Sequence, residues 1–422
     1  MKYSYADAVR YLEALQIMPK TMPGLDKIKR ALAETSWFSE IDPNKVIVVA
    51  GTNGKGSTSA ALEALLLEAR QRVGFYSSPH LVSTTERIRT LGKDISENSF
   101  VALFESNLEL IRKCELTHFE ALTLMAGDYF FNKKWEQNLD FIILEVGLGG
   151  TFDATNAFPH KYNIITKLGL DHVNILGNNL QQIAANKFGV VGRKSIVVHH
   201  PLDSSLHDLK MQVQRETNSN WIEANKPEFV VKHGTSTPEY LFKYDGLSVP
   251  LSLPGFRFAE NVMSAIAMLQ VLGFDFASCA AGLKKIRWNG RMQKLELKSV
   301  PCPVYLSGDH NEQGIRSLLQ ILQDFRWKNL HLMIGIGNDK DQHKMFDQLL
   351  QLENVKIYLT ETPFKGRKIE DYDLRVRQIA QFASADPLEV LHQIGLKATP
   401  EDLCVVTGSL YLVGEILKTT SS

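Results

Sequence analysis

The stretch VIVVAGTNGKGSTSAALEALL, residues 46–66, decides the fold expected of this chain. Five small or apolar residues lead into closely spaced glycines, a lysine and two hydroxyl residues, and an alanine- and leucine-rich run follows. A buried strand, a glycine-rich turn and a helix in this order can hold phosphate, because backbone amides at the turn and helix N-terminus converge on the anion. The sequence therefore predicts a phosphate-binding loop.

In this loop the glycines allow tight curvature, Lys55 supplies positive charge, and Ser57 or Thr58 offers a hydroxyl to Mg²⁺. The predicted nucleotide-binding residues are Gly51, Thr52, Asn53, Gly54, Lys55, Gly56, Ser57 and Thr58. The spacing departs from G-x-x-x-x-G-K-[ST], because the first two glycines are too close and a further glycine follows the lysine. The alternative interpretation is a glycine-rich turn that only ends a strand.

The length and composition predict the number of domains and argue against some kinds of partner. A chain of 422 residues exceeds what one hydrophobic core usually supports. The 47 basic and 47 acidic residues balance, so no overall field favours nucleic acid or an anionic membrane. The four cysteines form no C-x-x-C pair, and neither a leader pattern nor a membrane-length apolar run is present. These observations predict a cytoplasmic protein with no nucleic-acid or membrane partner.

Short β-rich runs alternate with helical runs, which is typical of an α/β protein with a mostly parallel sheet. Strands are predicted at 45–50, 72–77, 140–146, 162–168 and 195–200, and later at 303–307, 331–337, 354–360 and 402–408. Helices are predicted at 4–16, 24–34, 57–70, 98–113, 119–135, 180–190, 259–272, 312–324, 341–351, 371–382 and 387–394, with one more after residue 409. YDGL at 244–247 indicates a hairpin turn. We expect two domains, residues 1–295 and 296–422.

The compact form GTNGKGS resembles the ATP loop of the Mur ligase superfamily, most closely its folate branch, folylpolyglutamate synthase/dihydrofolate synthase. Further matching segments follow in order: YSSPHLVSTTERIR, FEALT, ILEVGLGGTFDATN, LDHVNILG, WNGRMQ, NDKD and TGSLYLVGE. The resemblance spans residues 20–417. It implies a P-loop ATPase domain with a mostly parallel sheet, followed by a smaller C-terminal Rossmann-like α/β domain that acts as the glutamate-ligase domain.

The resemblance also implies an ATP-dependent amide ligase. In that family a substrate carboxylate attacks the γ-phosphate, ADP leaves, and the amino group of glutamate displaces phosphate from the acyl phosphate. The implied partners are small molecules, namely dihydropteroate or a folate, L-glutamate and ATP, and the chain is expected to be a monomer.

The family's metal positions fall on Ser57, Ser78, Glu145 and His172, which the resemblance assigns to one or two Mg²⁺ ions. Oxygen ligands suit this hard ion. The alternative interpretations give these residues structural roles only. Ser78 would be a turn serine, Glu145 a solvated acid at a strand end, and His172 a buried histidine bonded to Asp171. The implied catalytic residues are Lys55, Lys187, His172 and Glu145.

Lys187 occupies the position at which the family carries a carbamylated lysine. The family usually has Glu-Lys-Ala-Gly here, whereas this chain has Asn186 before the lysine and Phe188-Gly189 after it. The acidic neighbour is therefore missing, and a surface lysine is the alternative interpretation.

For the nucleotide, the resemblance points to Asn261, Arg291 and position 307. The family commonly reads Asp-Gly-Ala-His-Asn where this chain reads Ser-Gly-Asp-His-Asn from residue 307. Ser307 thus replaces an aspartate, and Asp309 could substitute for it, because side chains two apart in an extended segment share a face.

For the pterin-bearing substrate, the resemblance points to Phe119, Glu120, Phe152, Asp153 and Ala154. The family's arginine after the glycine pair is Thr151 here, which removes a cation from this loop. Arg87 or Arg89 is a further hypothesis, as the partner of a glutamate carboxylate.

Three other functions stay open from the sequence. A peptidoglycan-precursor ligase of the same superfamily would need a larger domain before the phosphate loop than about 45 residues. A catalytically impaired nucleotide-binding paralogue would keep the fold and make no amide. A simple P-loop hydrolase would leave the second α/β domain without a role.

Overall fold

A computed structural model describes residues 2–16, 24–233, 237–286 and 288–420 of this chain. The chain divides into two compact units, one formed by Met1–Lys226 with Glu260–Ile286 and the other by Pro227–Ala259 with Arg287–Ser422. The units interleave along the chain, since residues 227–259 belong to the second. The single domain boundary after residue 295 stays a prediction.

The first unit is built on an eight-stranded sheet. Its strands are β1 (Val46–Ala50), β2 (Val73–Tyr76), β3 (Ile88–Thr90), β4 (Lys93–Asp94), β5 (Phe141–Glu145), β6 (Tyr162–Ile165), β7 (Ile196–His199) and β8 (Asn220–Glu223). The order is β4-β3-β2-β5-β1-β6-β7-β8, with β2, β5, β1, β6, β7 and β8 parallel and the β3–β4 hairpin antiparallel. All five residues of β1 are buried, as expected for a central parallel strand covered on both faces.

Ten helices accompany this sheet in the described part of the chain. They are α1 (Tyr5–Glu13), α2 (Asp26–Ala33), α3 (Lys55–Glu68), α4 (Glu97–Lys113), α5 (His118–Phe131), α6 (Val173–Leu176), α7 (Leu180–Phe188), α8 (His207–Thr217), α9 (Phe256–Val271) and α10 (Phe276–Cys279). The first turn of α9 belongs to the second unit. Because the carboxyl ends of parallel strands lie at one edge, the ends of β1, β5 and β6 bring their following loops together.

The second unit contains a three-stranded and a six-stranded sheet. Its strands are β9 (Glu228–Lys232), β10 (Glu239–Tyr244), β11 (Leu247–Pro250), β12 (Arg291–Leu295), β13 (Val304–Ser307), β14 (Leu330–Ile334), β15 (Val355–Thr360), β16 (Phe382–Ser384) and β17 (Leu403–Thr407). Its helices are α11 (Glu312–Leu322), α12 (Gln342–Leu349), α13 (Leu374–Ile379), α14 (Pro387–Lys397) and α15 (Leu410–Thr420). The larger sheet has the order β12-β13-β17-β14-β15-β16, parallel except for β12.

The α/β class with two mostly parallel sheets is confirmed, as is the hairpin at YDGL. Asp245 and Gly246 have φ angles of 49° and 74°, the left-handed pair that joins β10 to β11. The helix predicted over 371–382 is wrong at both ends, because α13 covers only Leu374–Ile379. Residues Phe382–Ser384 pair with β15 as an edge strand, so sheet pairing overrides the local helical pattern there.

Among the described residues, no single helix is long and apolar enough to cross a bilayer. Phe256–Val271 and Phe276–Lys285 form a bent pair that, taken together, has the length and composition of a membrane span.

We expect Leu332→Ala to lower the free energy of unfolding by about 2–5 kcal/mol, because Leu332 is fully buried in β14 and truncation leaves a cavity. The matched control is Leu396→Ala on α14 of the same unit, whose side chain is 67% exposed. That control should change the value by less than about 0.5 kcal/mol. Urea unfolding followed by circular dichroism measures both, and equal losses would contradict the assignment of this core.

Candidate active site

The phosphate loop is shaped by two glycines that no larger residue could replace. Gly51, directly after β1, has φ 149°, and a Cβ there would lie 1.9 Å from Oγ1 of Thr166. Gly54 has φ 94°, and its Cβ would lie 2.3 Å from Oδ1 of Asn261. The predicted nucleotide residue Asn261 therefore lies against the loop itself.

The loop is tied to the end of β6 before α3 begins at Lys55. The amides of Thr52 and Asn53 both donate to the carbonyl of Lys167, at 3.0 and 3.1 Å. Nζ of Lys55 donates to the carbonyls of Gly51 and Thr52, at 3.1 and 3.4 Å. The lysine charge thus lies on the loop, close to where an anion bound by its amides would sit.

The first turn of α3 supplies buried hydroxyl groups. Ser57 is 7% exposed, and the amide of Thr58 donates to the Gly54 carbonyl at 2.8 Å. Oγ1 of Thr58 is buried with no hydrogen-bond partner within the described residues. An unpartnered buried hydroxyl beside a phosphate loop fits a site that takes up a polar ligand.

Glu145 ends β5 beside the phosphate strand. It pairs in register with Val49 of β1, so its carboxylate emerges at the same sheet edge as the loop. The side chain is 4% exposed, and its Oε2 accepts the amide of Ser78 at 3.1 Å. Two of the predicted metal positions are therefore in contact, and the interpretation of Glu145 as a solvated acid is wrong.

His172 follows β6, which is the neighbour of β1 on the side opposite to β5 and Glu145. It is half-buried with φ 49°, and its backbone amide donates to Oδ1 of Asp171 at 2.9 Å. No three His, Cys, Asp or Glu side chains in the described ranges come together as a metal cluster. Mg²⁺ commonly uses one or two carboxylates, waters and substrate phosphates, so Glu145 with hydroxyl oxygens fits this ion.

Lys187 is buried, and the interpretation of a surface lysine is wrong. Its side chain is 4% exposed, and Nζ donates to the Gly51 carbonyl at 2.9 Å, the same oxygen that Lys55 contacts. Burial, and then the charge of Lys55, lower the pKa of Lys187 to about 7. A large fraction of this side chain is therefore neutral near pH 7.

The loop predicted to hold the pterin is organised by Asp153. Its carboxylate accepts the amide of Leu148 at 2.9 Å and both the amide and hydroxyl of Thr155. Burial raises the pKa of Asp153 against these hydrogen bonds. Phe152, the preceding residue, is 44% exposed, whereas Ala154 is buried. The substrate role of this loop stays a prediction.

Phe119 and Glu120 lie in the first turn of α5, near the same edge. The Phe119 ring lies 5.8 Å from that of Tyr76, and a Cβ on Gly147 would be 2.6 Å from it. Oε2 of Glu120 accepts the amide and hydroxyl of Thr117 in a capping box. Oε1 of Glu120 is buried without a hydrogen-bond partner among described residues.

The two arginines considered for a glutamate carboxylate have protein partners. Nη2 of Arg89 lies 3.0 Å from Oε2 of Glu63, a buried acid on α3. Nε of Arg87 donates to Nδ1 of His80 at 2.9 Å. Arg89 is therefore engaged within the protein, and a substrate role for either arginine stays a prediction.

In the second unit, Asp309 forms a buried ion pair that the sequence did not predict. Arg257 approaches both carboxylate oxygens, at 2.5 and 3.2 Å, and the hydroxyl of Ser307 donates to Oδ2. Burial would raise the pKa of Asp309, but Arg257 and these hydrogen bonds hold it below its ordinary value. Nη1 of Arg291 lies 3.4 Å from the Gly308 carbonyl, so these predicted nucleotide residues do cluster. No sequence motif pointed to Arg257, because its partner Asp309 lies 52 residues away along the chain.

Comparison with known proteins identifies both parts of the chain. The Mur ligase middle domain matches residues 49–269, and the Mur ligase glutamate ligase domain matches residues 290–410. The chain is 41% identical to dihydrofolate synthase/folylpolyglutamate synthase of Buchnera aphidicola subsp. Acyrthosiphon pisum, over 98% of each chain.

Two solved structures support the same placement. One is Escherichia coli FolC in complex with DHPP and ADP, 25% identical with a TM-score of 0.84, covering 100% of this chain and 98% of that one. The other is the Yersinia pestis bifunctional folylpolyglutamate synthase/dihydrofolate synthase complexed with AMPPNP and Mn ion. It is 27% identical with a TM-score of 0.81, covering 100% and 99%.

The burial of Lys187 leads to a prediction of how the free energy of unfolding depends on pH. Its folded-state pKa of about 7 lies below the unfolded value of about 10.4, so the unfolded chain binds more protons between these limits. Stability should therefore rise with pH in this window, by up to about 1.4 kcal/mol per pH unit relative to Lys187→Met.

Urea unfolding at pH 7, 8 and 9 measures this difference. Lys133→Met, at a side chain that is 86% exposed, serves as the control and should parallel the unsubstituted protein. If the stability of Lys187→Met also changes with pH as that of the unsubstituted protein does, the Lys187 ammonium is not desolvated.

Proposed function

Because this chain belongs to the Mur ligase family, we propose that it joins L-glutamate to dihydropteroate, to the glutamate tail of a reduced folate, or to both. It is an ATP-dependent acid–amino-acid ligase, as the sequence predicted. One observation carries the site assignment: Lys55 and Lys187 donate to the same Gly51 carbonyl, on a phosphate loop beside the buried Glu145.

The first step uses positioning and charge. Phosphoryl transfer needs little covalent help from the protein and much neutralisation of the phosphate oxygens. In this proposal the amides at the start of α3 donate to the β- and γ-phosphates, and Lys55 exchanges its carbonyl contacts for phosphate oxygens. The substrate carboxylate oxygen then attacks the γ-phosphorus as the bond to ADP breaks.

The residues that would hold Mg²⁺ are Ser57, Glu145 and Ser78, with His172 as the further predicted ligand. The ion supplies neutralisation of the phosphate charge. The Ser78 amide orients the Glu145 carboxylate toward this edge of the sheet, and burial keeps competing water away from it.

Lys187 adds a second nitrogen at the phosphate loop. With a pKa near 7 it presents a substantial neutral fraction, and a neutral amine is the form that can add CO₂. Carbamylation of Lys187 is therefore part of our proposal, although the acidic neighbour at 186 is absent.

In the second step the amino group of glutamate attacks the acyl carbon. Inorganic phosphate leaves with one oxygen from the original acid, so oxygen transfer reports the intermediate. We assign the acid's aromatic part to the surface formed by Phe119 and the loop of Asp153, with the exposed Phe152 alongside.

The proposal is tested by incubating pure protein with Mg-ATP, glutamate and dihydropteroate or tetrahydrofolate, with the acid labelled with ¹⁸O. ADP formation that requires both organic substrates, with label in the released phosphate, supports the ligase. ADP without them indicates a hydrolase, and nucleotide binding without turnover indicates an impaired paralogue. Dihydropteroate and tetrahydrofolate tested separately decide between the two activities.

Lys55→Ala should reduce turnover below detection, because no other residue of the loop can bring a full positive charge to the phosphates. Lys133→Ala removes an exposed lysine of the same unit and should leave kcat unchanged. A near-normal rate in Lys55→Ala would place the phosphate site elsewhere.

We also propose that Asp309 takes the nucleotide role expected of an aspartate at 307. Its carboxylate is held ionised by Arg257, and its backbone carbonyl accepts the amide of Gly408 at 2.9 Å. Asp309→Asn should weaken ATP binding about tenfold or more, the contribution of a hydrogen bond to a charged group. Calorimetry measures it, and a thermal melt checks folding. A larger effect in Ser307→Ala than in Asp309→Asn would assign the role to Ser307 instead.

A cytoplasmic location and a monomeric state fit these small-molecule substrates, and both belong to the proposal.

A further inference from the structure

The loop after β5 fits directly against the last turn of α7, with no space for side chains between them. A Cβ on Gly150 would lie 2.8 Å from the carbonyl oxygen of Asn186 and 3.0 Å from Cα of Lys187. A Cβ on Gly189 would lie 1.8 Å from Oγ1 of Thr151. The backbone that carries Lys187 is therefore in contact with this loop on two sides.

Thr151 makes the polar part of the contact. Its amide and its Oγ1 both donate to the carbonyl oxygen of Asn186, each at 2.9 Å. Carbonyls in the last turn of a helix lack intrahelical donors. The amide of Val190, four residues on, instead bonds to the Lys187 carbonyl at 3.4 Å. Thr151 thus caps α7 from outside at the peptide that leads into Lys187.

A second set of hydrogen bonds joins the loop after β5 to the end of α7. Nδ2 of Asn156 donates to the carbonyls of Thr151 and Gly189, at 3.0 and 3.2 Å. The loop and the helix end are therefore fixed to each other on both sides of Lys187, whose Nζ is then held 2.9 Å from the Gly51 carbonyl.

We propose that Thr151 is a positioning residue of this site: its amide and hydroxyl hold the end of α7 so that the Lys187 side chain stays against the phosphate loop. The consequence for catalysis rests on the proposed ligase function. The consequence for the lysine itself does not, because it follows from the contacts alone. Burial of Lys187, which lowers its pKa to about 7, depends on the same packing.

Thr151→Val and Thr151→Ser separate the hydroxyl from the size of the side chain. Valine keeps the shape and the backbone amide bond but loses the Oγ1 bond, whereas serine keeps the hydroxyl. We expect kcat to fall about five- to tenfold in Thr151→Val, as for the loss of one hydrogen bond, with KM for ATP unchanged. Thr151→Ser should restore most of the rate.

The control is Thr35→Val. Thr35 is also half-buried, and its hydroxyl donates to the Leu32 carbonyl at 2.7 Å after α2. The Thr35→Val variant therefore loses a comparable hydroxyl-to-carbonyl hydrogen bond at a place away from Lys187. Its kcat should match that of the unsubstituted protein, which measures any general effect of such a loss.

A second measurement needs no turnover. Trace acetic anhydride labels lysines according to their accessibility and neutral fraction, and peptide mass spectrometry quantifies Lys187 relative to the exposed Lys133. Labelling is carried out at about pH 10.5, where an exposed lysine is also about half neutral and the yield follows accessibility. We expect several-fold more labelling of Lys187 in Thr151→Val, and none of this increase in Thr151→Ser or Thr35→Val.

Unchanged Lys187 labelling in Thr151→Val overturns the proposal, even if the protein melts at a lower temperature. Raised labelling with no amide formed by any variant upholds the positioning role while the ligase function fails. If Thr151→Val does not fold, Thr151→Ala compared with Thr151→Ser makes the same test, since these two differ in the hydroxyl.

Discussion

The carbonyl of Gly51 is the point on which the site depends. Two amino groups, from Lys55 at the start of α3 and Lys187 at the end of α7, donate to this one oxygen. Burial and the charge of Lys55 lower the pKa of Lys187, and Gly51 and Gly54 give the loop its course in conformations open to glycine. An incoming triphosphate would meet the full charge of Lys55 and the amides of the loop, so the arrangement favours binding of a strongly anionic ligand.

The sequence predicted the parts of this site that are local or that lie at strand ends. The phosphate loop, Glu145 after β5 and Asn261 against the loop were all named from motifs, and the structure brings Ser78 to Glu145. These succeed because strand, turn and helix are encoded over a few residues, and because parallel strands end at one edge.

The remaining features required contacts between distant residues. The pairing of Arg257 with Asp309, and the cap that Thr151 places on α7, join segments 52 and 35 residues apart that carry no shared pattern. Helix α8 was missed because it has no buried residue and only Leu209 and Val213 pack partly against the core, which leaves a weak apolar periodicity. The edge strand β16 was missed because pairing with β15 decides its conformation.

The position of β1 has a consequence for the order in which the protein is made. Its neighbours in the sheet are β5 and β6, so Val46 pairs with Ile142 and Ile47 with Tyr162, and Asn261 closes on Gly54 later still. A nascent chain emerging from the ribosome therefore carries its glycine turn for more than two hundred residues before the groups that shape it exist. Such long-range pairing slows folding, so nucleotide cannot be captured until synthesis of most of the chain is complete.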